Sequence, residues 1–140
     1  MIATKVQKIN SKLYVNISYN KYKIDWDKAP SKGQQVLQKF LYPYWKTQIV
    51  LSEMRIPGSR LRCDIVNCNK KVIIEYSPKH HTEYTKHFHK NVIGWLNALS
   101  RDNEKMKWAE KNNFQFIEII ESDLKKLSYD FFINEFNLYL

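Results

Sequence analysis

Two short apolar runs separated by a polar dipeptide constrain the fold of this chain more than any other feature. Residues 60–67 and 71–77 both have the composition of β-strands, and Asn69-Lys70 lies between them. If this dipeptide is a two-residue hairpin loop, counting outward from it places Asp64 directly opposite Glu75. Two carboxylates that face each other on one side of a sheet repel unless a cation lies between them. The hairpin therefore predicts a cation site as well as a strand pair.

The alternation of side chains gives this carboxylate pair polar neighbours. Arg60 and Arg62 share the face of Asp64, and Ser77 shares the face of Glu75. Carboxylate oxygens bind hard divalent cations, and arginine binds phosphate, so the patch contains the groups that phosphodiester hydrolysis requires. The alternative is structural: Asp64 pairs with Arg60 or Arg62 in a solvated ladder, and Glu75 caps a turn.

The rest of the chain reads as alternating helices and strands around this hairpin. Capping residues, hydrophobic periods and turn dipeptides mark the bounds of each element. The predicted elements are a helix from the N-cap Ser31 to Pro43, a strand over 47–54, an amphipathic helix from Thr82 to Leu99, its continuation from Ser100 or Asp102 to Asn112-Asn113, a strand over 114–120 and a final helix after Ser128.

This order predicts an α/β fold, with a mixed β-sheet of about four core strands flanked by helices. Strand 114–120 is expected to join beside the three-strand meander. Residues 30–140 form this core, and residues 1–29 read as a β-rich, basic N-terminal appendage of two or three short strands.

The charge balance predicts a polyanionic partner. The chain has 23 Lys and Arg against 14 Asp and Glu, a formal net charge of +9, and such a surplus attracts nucleic acid. A membrane partner is not expected, because no apolar run approaches the length of a spanning helix. The start of the chain has no secretion signal, so a cytoplasmic protein is expected, and Cys63 and Cys68 read as reduced structural thiols.

Three stretches of the sequence resemble a known nuclease superfamily. Asp64 followed after ten residues by Glu75, at the end of an apolar strand, is similar to the metal-binding core of PD-(D/E)XK nucleases. Residues 75–81, Glu-Tyr-Ser-Pro-Lys-His-His, resemble a stretch of nucleases related to the Vsr mismatch endonuclease. Residues 101–105, Arg-Asp-Asn-Glu-Lys, with the segment 108–114, resemble a helix and the final strand of that group. The resemblance covers residues 31–128.

The resemblance implies a restriction-endonuclease-like fold and a metal-dependent endonuclease that acts on DNA. By it, Asp64 and Glu75 bind Mg²⁺ or Mn²⁺, and His81 is a general base or a phosphate contact. No small-molecule cofactor is implied, and a homodimer is an open alternative. The expected nucleic-acid contacts are basic or imidazole side chains around the hairpin: Arg60, Arg62, Lys79, His80 and Lys105.

The sequence departs from this family pattern at two positions. Gln34 stands where the first helix often carries a glutamate, and Ser77 stands where many members have the motif lysine. Lys79 is a candidate to supply the missing positive charge, because a flexible lysine stem reaches a site from several anchor points. The candidate catalytic set is therefore Asp64, Glu75, Ser77, Lys79, His81 and Gln34.

Several alternatives remain open from the sequence. Glu53 is either a third carboxylate of the site or, with slightly better support, a solvated partner of Arg55 or Arg60. Four histidines, at 80, 81, 87 and 89, raise a zinc alternative, but no further cysteine pair supports tetrahedral closure. For the whole chain, the alternatives to a nuclease are a catalytically inactive nucleic-acid-binding module and a basic interaction protein.

Overall fold

The computed structural model describes residues 4–78 and 92–140, except for the side chains of 92–98 and 102. The elements are β1 (Lys5–Gln7), β2 (Tyr14–Asn16), α1 (Tyr19–Tyr22), α2 (Lys32–Trp45), β3 (Val50–Arg55), β4 (Arg62–Asn67), β5 (Val72–Ser77), α3 (Val92–Lys111), β6 (Gln115–Ile120), a 3₁₀ helix (Glu121–Lys126) and α4 (Tyr129–Phe136).

The central element is a four-stranded mixed sheet in the order β3-β4-β5-β6. β3, β4 and β5 form an antiparallel meander, and β6 adds parallel to β5. A parallel neighbour requires a crossover connection, and the chain passes through α3 between these two strands. The predicted fold class, a mixed sheet of four core strands flanked by helices, is confirmed.

The two faces of the sheet bury separate apolar clusters. Helix α2 packs Leu37 and Leu41 against one face, where they join Ile65 and Ile74. The end of α3 packs Trp108 on the other cluster, which includes Leu51, Val66 and Ile73. Since successive side chains of a strand point to opposite faces, Asp64 and Glu75 belong to the α3 side.

The N-terminal segment packs onto the α3 side of the sheet. β1 and β2 form an antiparallel hairpin, and its turn includes Asn10, which has a positive φ of 53°. Val6 and Ile17 are buried in the same cluster as Trp108. The Trp108 ring nitrogen also donates a 2.7 Å hydrogen bond to the Gln7 carbonyl oxygen. The chain then forms the short helix α1, which includes Asn20 and Lys21.

Two predicted helix boundaries were wrong. α2 begins at its predicted cap, where the Ser31 hydroxyl accepts from the Gln34 N–H, but it continues through Pro43 to Trp45. A proline inside a helix removes its own N–H bond and crowds the carbonyl four residues earlier, yet the last turn still closes, because the Lys46 N–H donates to the Tyr42 carbonyl oxygen. The fully buried Trp45 anchors this last turn.

α3 is one continuous helix through positions 100 and 102, where a new cap was predicted. It ends at the predicted asparagines, because Asn113 takes the left-handed conformation with φ 63°. Among the described residues, no helix has both the length and the apolar composition needed to cross a membrane.

Candidate active site

Asp64 and Glu75 face each other where β4 and β5 separate. The last residue pair of their ladder is Ile65 with Ile74, and the same register continues to Asp64 and Glu75. At that level side chains replace the main-chain ladder. The Asp64 N–H donates a 2.6 Å bond to Oε2 of Glu75, and the Tyr76 N–H donates a 2.8 Å bond to Oδ2 of Asp64. The register predicted from the Asn69-Lys70 turn therefore matches the structure.

Lys105 of α3, the helix on this face of the sheet, contacts the carboxylate pair. Its Nζ lies 2.6 Å from Oε1 of Glu75, and the two side chains are only 16% and 10% exposed. Lys105 was predicted to contact nucleic acid; in the structure its ammonium forms an ion pair with one of the two carboxylates. This position puts a positive charge next to Glu75, although Ser77 occupies the place of the motif lysine on β5.

Burial dominates the electrostatics of the pair. Desolvation raises the pKa of Glu75, and the neighbouring charge of Asp64 raises it further, against the opposing effect of Lys105. Desolvation likewise raises the pKa of Asp64, while the Tyr76 N–H lowers it and Glu53 adds to the rise. Desolvation lowers the pKa of Lys105, but the charge and hydrogen bond of Glu75, together with Cys63 and Asp64, outweigh it and the net shift is upward. Both carboxyls hold a proton more tightly than an exposed carboxyl does.

Glu53 lies next to this pair in an unusual backbone conformation. The β3–β4 register places it opposite Asp64, and its φ is +50°, which costs about 1–3 kcal/mol in a residue with a side chain. Its Oε2 is buried and has no hydrogen-bond partner within the described part of the chain. Its carboxyl is close enough to Asp64 to raise the pKa of that group.

The preferred interpretation of Glu53 as a solvated partner of an arginine was wrong. Arg55 donates from Nε to the Ser59 carbonyl oxygen at 2.7 Å. Neither Arg55 nor Arg60 forms an ion pair with a carboxylate whose side chain the structure describes. Among the described side chains the local balance is instead acidic, with the three carboxyl groups of Glu53, Asp64 and Glu75 beside the ammonium of Lys105.

The remaining predicted site residues divide into three groups. Ser77 is buried on β5 at 2% exposure, two residues beyond Glu75 on the same face. Gln34 is also buried, but α2 covers the opposite face of the sheet, and the Gln34 amide donates to Oε1 of Gln38 instead of to either carboxylate. Arg60 and Arg62 are exposed. Lys79, His80 and His81 lie outside the described residues, as do His87 and His89 of the zinc alternative.

The donor set fits a magnesium-type cation. Mg²⁺ is usually held by one or two carboxylates and retains several waters, which leaves room for substrate phosphate oxygens. Asp64 and Glu75 supply the two carboxylates, and each carboxylate oxygen has more than one lone pair. Glu53 adds a third carboxyl group beside them, whose Oε2 has no hydrogen-bond partner among the described residues. No three His, Cys, Asp or Glu side chains of the described residues converge on one point, so a closed cage of protein ligands is not formed there.

Sequence reasoning missed two features of the site. The Tyr76 N–H fixes Asp64, and no property of the Tyr76 side chain signals this. Gly33 in turn touches the Tyr76 ring so closely that a Cβ at residue 33 would overlap it. The Lys105 ion pair had a partial signal, because this residue is part of the Arg-Asp-Asn-Glu-Lys stretch, but the stretch does not indicate which group the lysine meets.

The comparisons with known proteins add no relative. No protein-family model matches this chain. Neither a curated protein nor a solved structure matches it.

Proposed function

We propose that this protein is a Mg²⁺-dependent endonuclease that hydrolyses DNA phosphodiester bonds at the Asp64–Glu75 pair. The observation that carries the proposal is the reciprocal bonding of these carboxylates across the two strands. The Asp64 N–H on β4 donates to Glu75, the Tyr76 N–H on β5 donates to Asp64, and Lys105 forms an ion pair with Glu75. Such bonding fixes both ligands before a cation arrives. Preorganised charged groups in a partly dry site are the main source of electrostatic stabilisation in enzymes.

Each residue of the site has a defined role in this proposal. Asp64 and Glu75 hold the metal, which when bound polarises the phosphoryl oxygen and acidifies a water. Lys105 orients Glu75 and provides positive charge close to where the phosphate binds. Glu53 keeps the site negative enough to attract a divalent cation, even though the chain as a whole has a net charge of +9.

The charge distribution supports DNA as the partner. In the described part of the site three carboxylates lie beside one lysine, so a bound cation would be needed to offset their repulsion of a phosphodiester. The exposed Arg60 and Arg62 lie on the β3–β4 hairpin next to the site. Such side chains position a nucleic-acid backbone without reading its sequence.

Plasmid cleavage tests the proposal. Supercoiled and linear duplex plasmids are incubated with the protein and Mg²⁺ or Mn²⁺, using the wild type, Asp64→Asn, Glu75→Gln and the control Glu135→Gln. Glu135 is exposed on α4 and forms no ion pair with any described residue, so its variant makes the same charge change away from the site. Nicking by the wild type and the control, with at least a hundredfold loss in both site variants, supports a metal nuclease.

A nucleic-acid-binding module without cleavage is the second candidate. It is favoured by Ser77 in place of the motif lysine and by the lack of a third converging ligand among the described side chains. No cutting by the wild type, together with DNA retained on a filter in a salt-dependent manner, selects this candidate and rejects the nuclease.

A further inference from the structure

A second feature lies beside the candidate active site: a cleft between the N-terminal segment and the β3–β4 turn. Its volume is about 730 Å³, and residues 15–18, 21–22 and 55–60 line it. Ligand pockets are typically about 300–1,000 Å³, so the cleft has room for more than a single ion. None of the site residues assigned above to metal binding lines it.

The lining of the cleft has one sign of charge. Among the described lining residues, Lys21, Arg55 and Arg60 are the ionisable side chains apart from Tyr22, and none is Asp or Glu. None of the three cations forms an ion pair with a described side chain. Arg55 uses its Nε on the Ser59 carbonyl, which leaves the four terminal N–H donors of the guanidinium for a ligand. Unpaired cations around a concave wall concentrate an anion there.

The cleft lies close to the carboxylates along the β3–β4 ladder. Arg55 pairs with Arg62 across the β3–β4 ladder, two residues from Glu53 and Asp64. Two residues along a strand span about 7 Å. The cationic wall therefore begins next to the acidic site, on the side of the β3–β4 turn. A polyanion that occupies both must place one phosphate at the carboxylates and neighbouring phosphates in the cleft.

We propose that this cleft binds the phosphodiester backbone of the nucleic-acid strand that flanks the phosphate at the Asp64–Glu75 pair. The proposal rests on the proposed function for the identity of the strand. Arg55 and Arg60 contact phosphate oxygens as multidentate donors. Lys21, whose Nζ lies 5.5 Å from the centre of the Tyr22 ring, adds a third positive charge at the opposite wall.

The test is the salt dependence of DNA binding in EDTA, where cleavage plays no part. The variant is Lys21→Gln/Arg60→Gln, and the control is Lys125→Gln/Lys126→Gln, which removes the same charge from the exposed 3₁₀ helix. The binding constant for duplex DNA is plotted against salt concentration on logarithmic axes. The magnitude of the slope is expected to decrease by about 0.9 for each lost phosphate contact. The cleft variant should lose about twice this amount, and the control should keep the wild-type slope.

Two further arms keep the test decisive. Arg60→Lys retains the charge and should retain most of the slope, and equal melting temperatures of all variants exclude loss of fold as the cause. Equal slopes for the cleft and control variants overturn the proposal. A second outcome also overturns the proposal: the cleft variant binds DNA as the wild type does, but tripolyphosphate no longer raises its melting temperature. The cleft would then be a site for a free polyphosphate. Because binding is measured without metal, absence of nicking alone affects the proposed function and not this result.

Discussion

The main-chain N–H of Asp64 donates to the carboxylate of Glu75 at 2.6 Å, on a strand pair whose main-chain ladder has just ended. The return bond runs from the Tyr76 N–H to Asp64. Each carboxylate thus substitutes for a carbonyl oxygen of the missing ladder, and the opening between β4 and β5 becomes polar. Because these bonds hold the carboxylates in place, changes to either strand should alter the site as well as the stability of the fold.

The first prediction concerns Lys105. Replacing it with Met leaves the mostly buried carboxylate of Glu75 without its cation, which should lower the free energy of unfolding by about 2 kcal/mol, below the usual range for a fully buried pair because both groups keep some solvent contact. Nicking should fall by about two orders of magnitude, as for a lost electrostatic group in an active site. Chemical denaturation and plasmid nicking measure these effects.

Two variants serve as controls for Lys105. Lys105→Arg keeps a positive charge at the carboxylate and should recover most of the stability. Lys107→Met removes an exposed lysine from the same helix and should leave both quantities close to wild type. A Lys105→Met protein as stable and active as Lys107→Met would show that the ion pair contributes nothing.

The second prediction is a pH dependence of stability. Burial raises the pKa of both Asp64 and Glu75 above that of an ordinary carboxyl, so the folded state binds these protons more tightly than the unfolded state. The contribution of each group to stability is therefore full below the ordinary carboxyl pKa, near 4, and is lost as pH rises through the raised pKa. Without metal, the free energy of unfolding should fall over that interval.

Glu75→Gln isolates this contribution, because an amide does not titrate. The free energy of unfolding of Glu75→Gln minus that of the wild type should increase as pH rises above the ordinary carboxyl pKa, because only the wild type loses this contribution, and should then level off. Denaturant titrations at fixed ionic strength measure it. A difference that stays constant with pH would mean that Glu75 has the same pKa in the folded and unfolded states.

The third prediction is stabilisation by metal with the opposite pH trend. A ligand that binds only the folded state adds about 2.7 kcal/mol when its concentration is a hundred times its dissociation constant. Metal requires the deprotonated carboxylates, so the rise in melting temperature with Mg²⁺ or Mn²⁺ should be larger at pH 8 than at pH 6. The rise should disappear in Asp64→Asn and persist in Glu135→Gln. A rise of equal size in all three proteins would place the metal elsewhere.

The sequence predicted the elements of the site that depend on local pattern. The alternation of side chains and the polar turn at Asn69-Lys70 were enough to place Asp64 opposite Glu75, because the register of a hairpin follows from its turn. The strand order also followed, since β3 to β5 are joined by short turns and β6 must arrive by a crossover.

The parts that sequence did not predict depend on contacts between distant segments. Lys105 meets Glu75 only because α3 docks across the sheet, 30 residues later in the chain. The positive φ of Glu53 has no sequence signature, because glutamate is not a residue that favours the left-handed conformation. Gln34 appeared to match a family position, but the side chain it meets, Gln38, is on its own helix.

The fourth prediction uses the strained backbone of Glu53. Glu53→Gly removes both the positive-φ penalty and a buried oxygen without a partner, while glycine adds an entropic cost of about 0.5–1 kcal/mol. The net effect should be a gain in stability of about 1–2 kcal/mol. Denaturant midpoints measure it, with Asn113→Gly as the control at another positive-φ residue that already tolerates its conformation. A destabilised Glu53→Gly protein would show that the Glu53 side chain makes a net favourable contribution.

If Glu53 serves the metal site, this stability gain has a functional cost. Nicking by Glu53→Gly should require a higher Mg²⁺ concentration for half-maximal rate, because one of the three negative charges near the cation is gone. The rate at saturating metal should change less. An unchanged metal requirement would separate the strain at Glu53 from any role in the site.

The last prediction concerns the support of Asp64 from the opposite face of the sheet. Gly33 of α2 lies against the Tyr76 ring with no room for a Cβ, and the Tyr76 N–H holds Asp64. In a helix, Gly→Ala normally stabilises by about 1 kcal/mol. Here Gly33→Ala should instead destabilise and should reduce nicking, because the displaced ring moves the main chain that fixes Asp64. The sign of the stability change distinguishes steric overlap from helix propensity.

A double-mutant cycle tests this mechanism. In Gly33→Ala/Tyr76→Leu the smaller side chain removes the overlap while the main-chain N–H remains, so stability should be higher than in Gly33→Ala alone and nicking should recover in part. Val36→Ala, at an exposed position on the same helix, controls for changes in helix propensity. If the two substitutions are additive in both stability and nicking, Tyr76 does not transmit the effect, and Asp64 is held independently of α2.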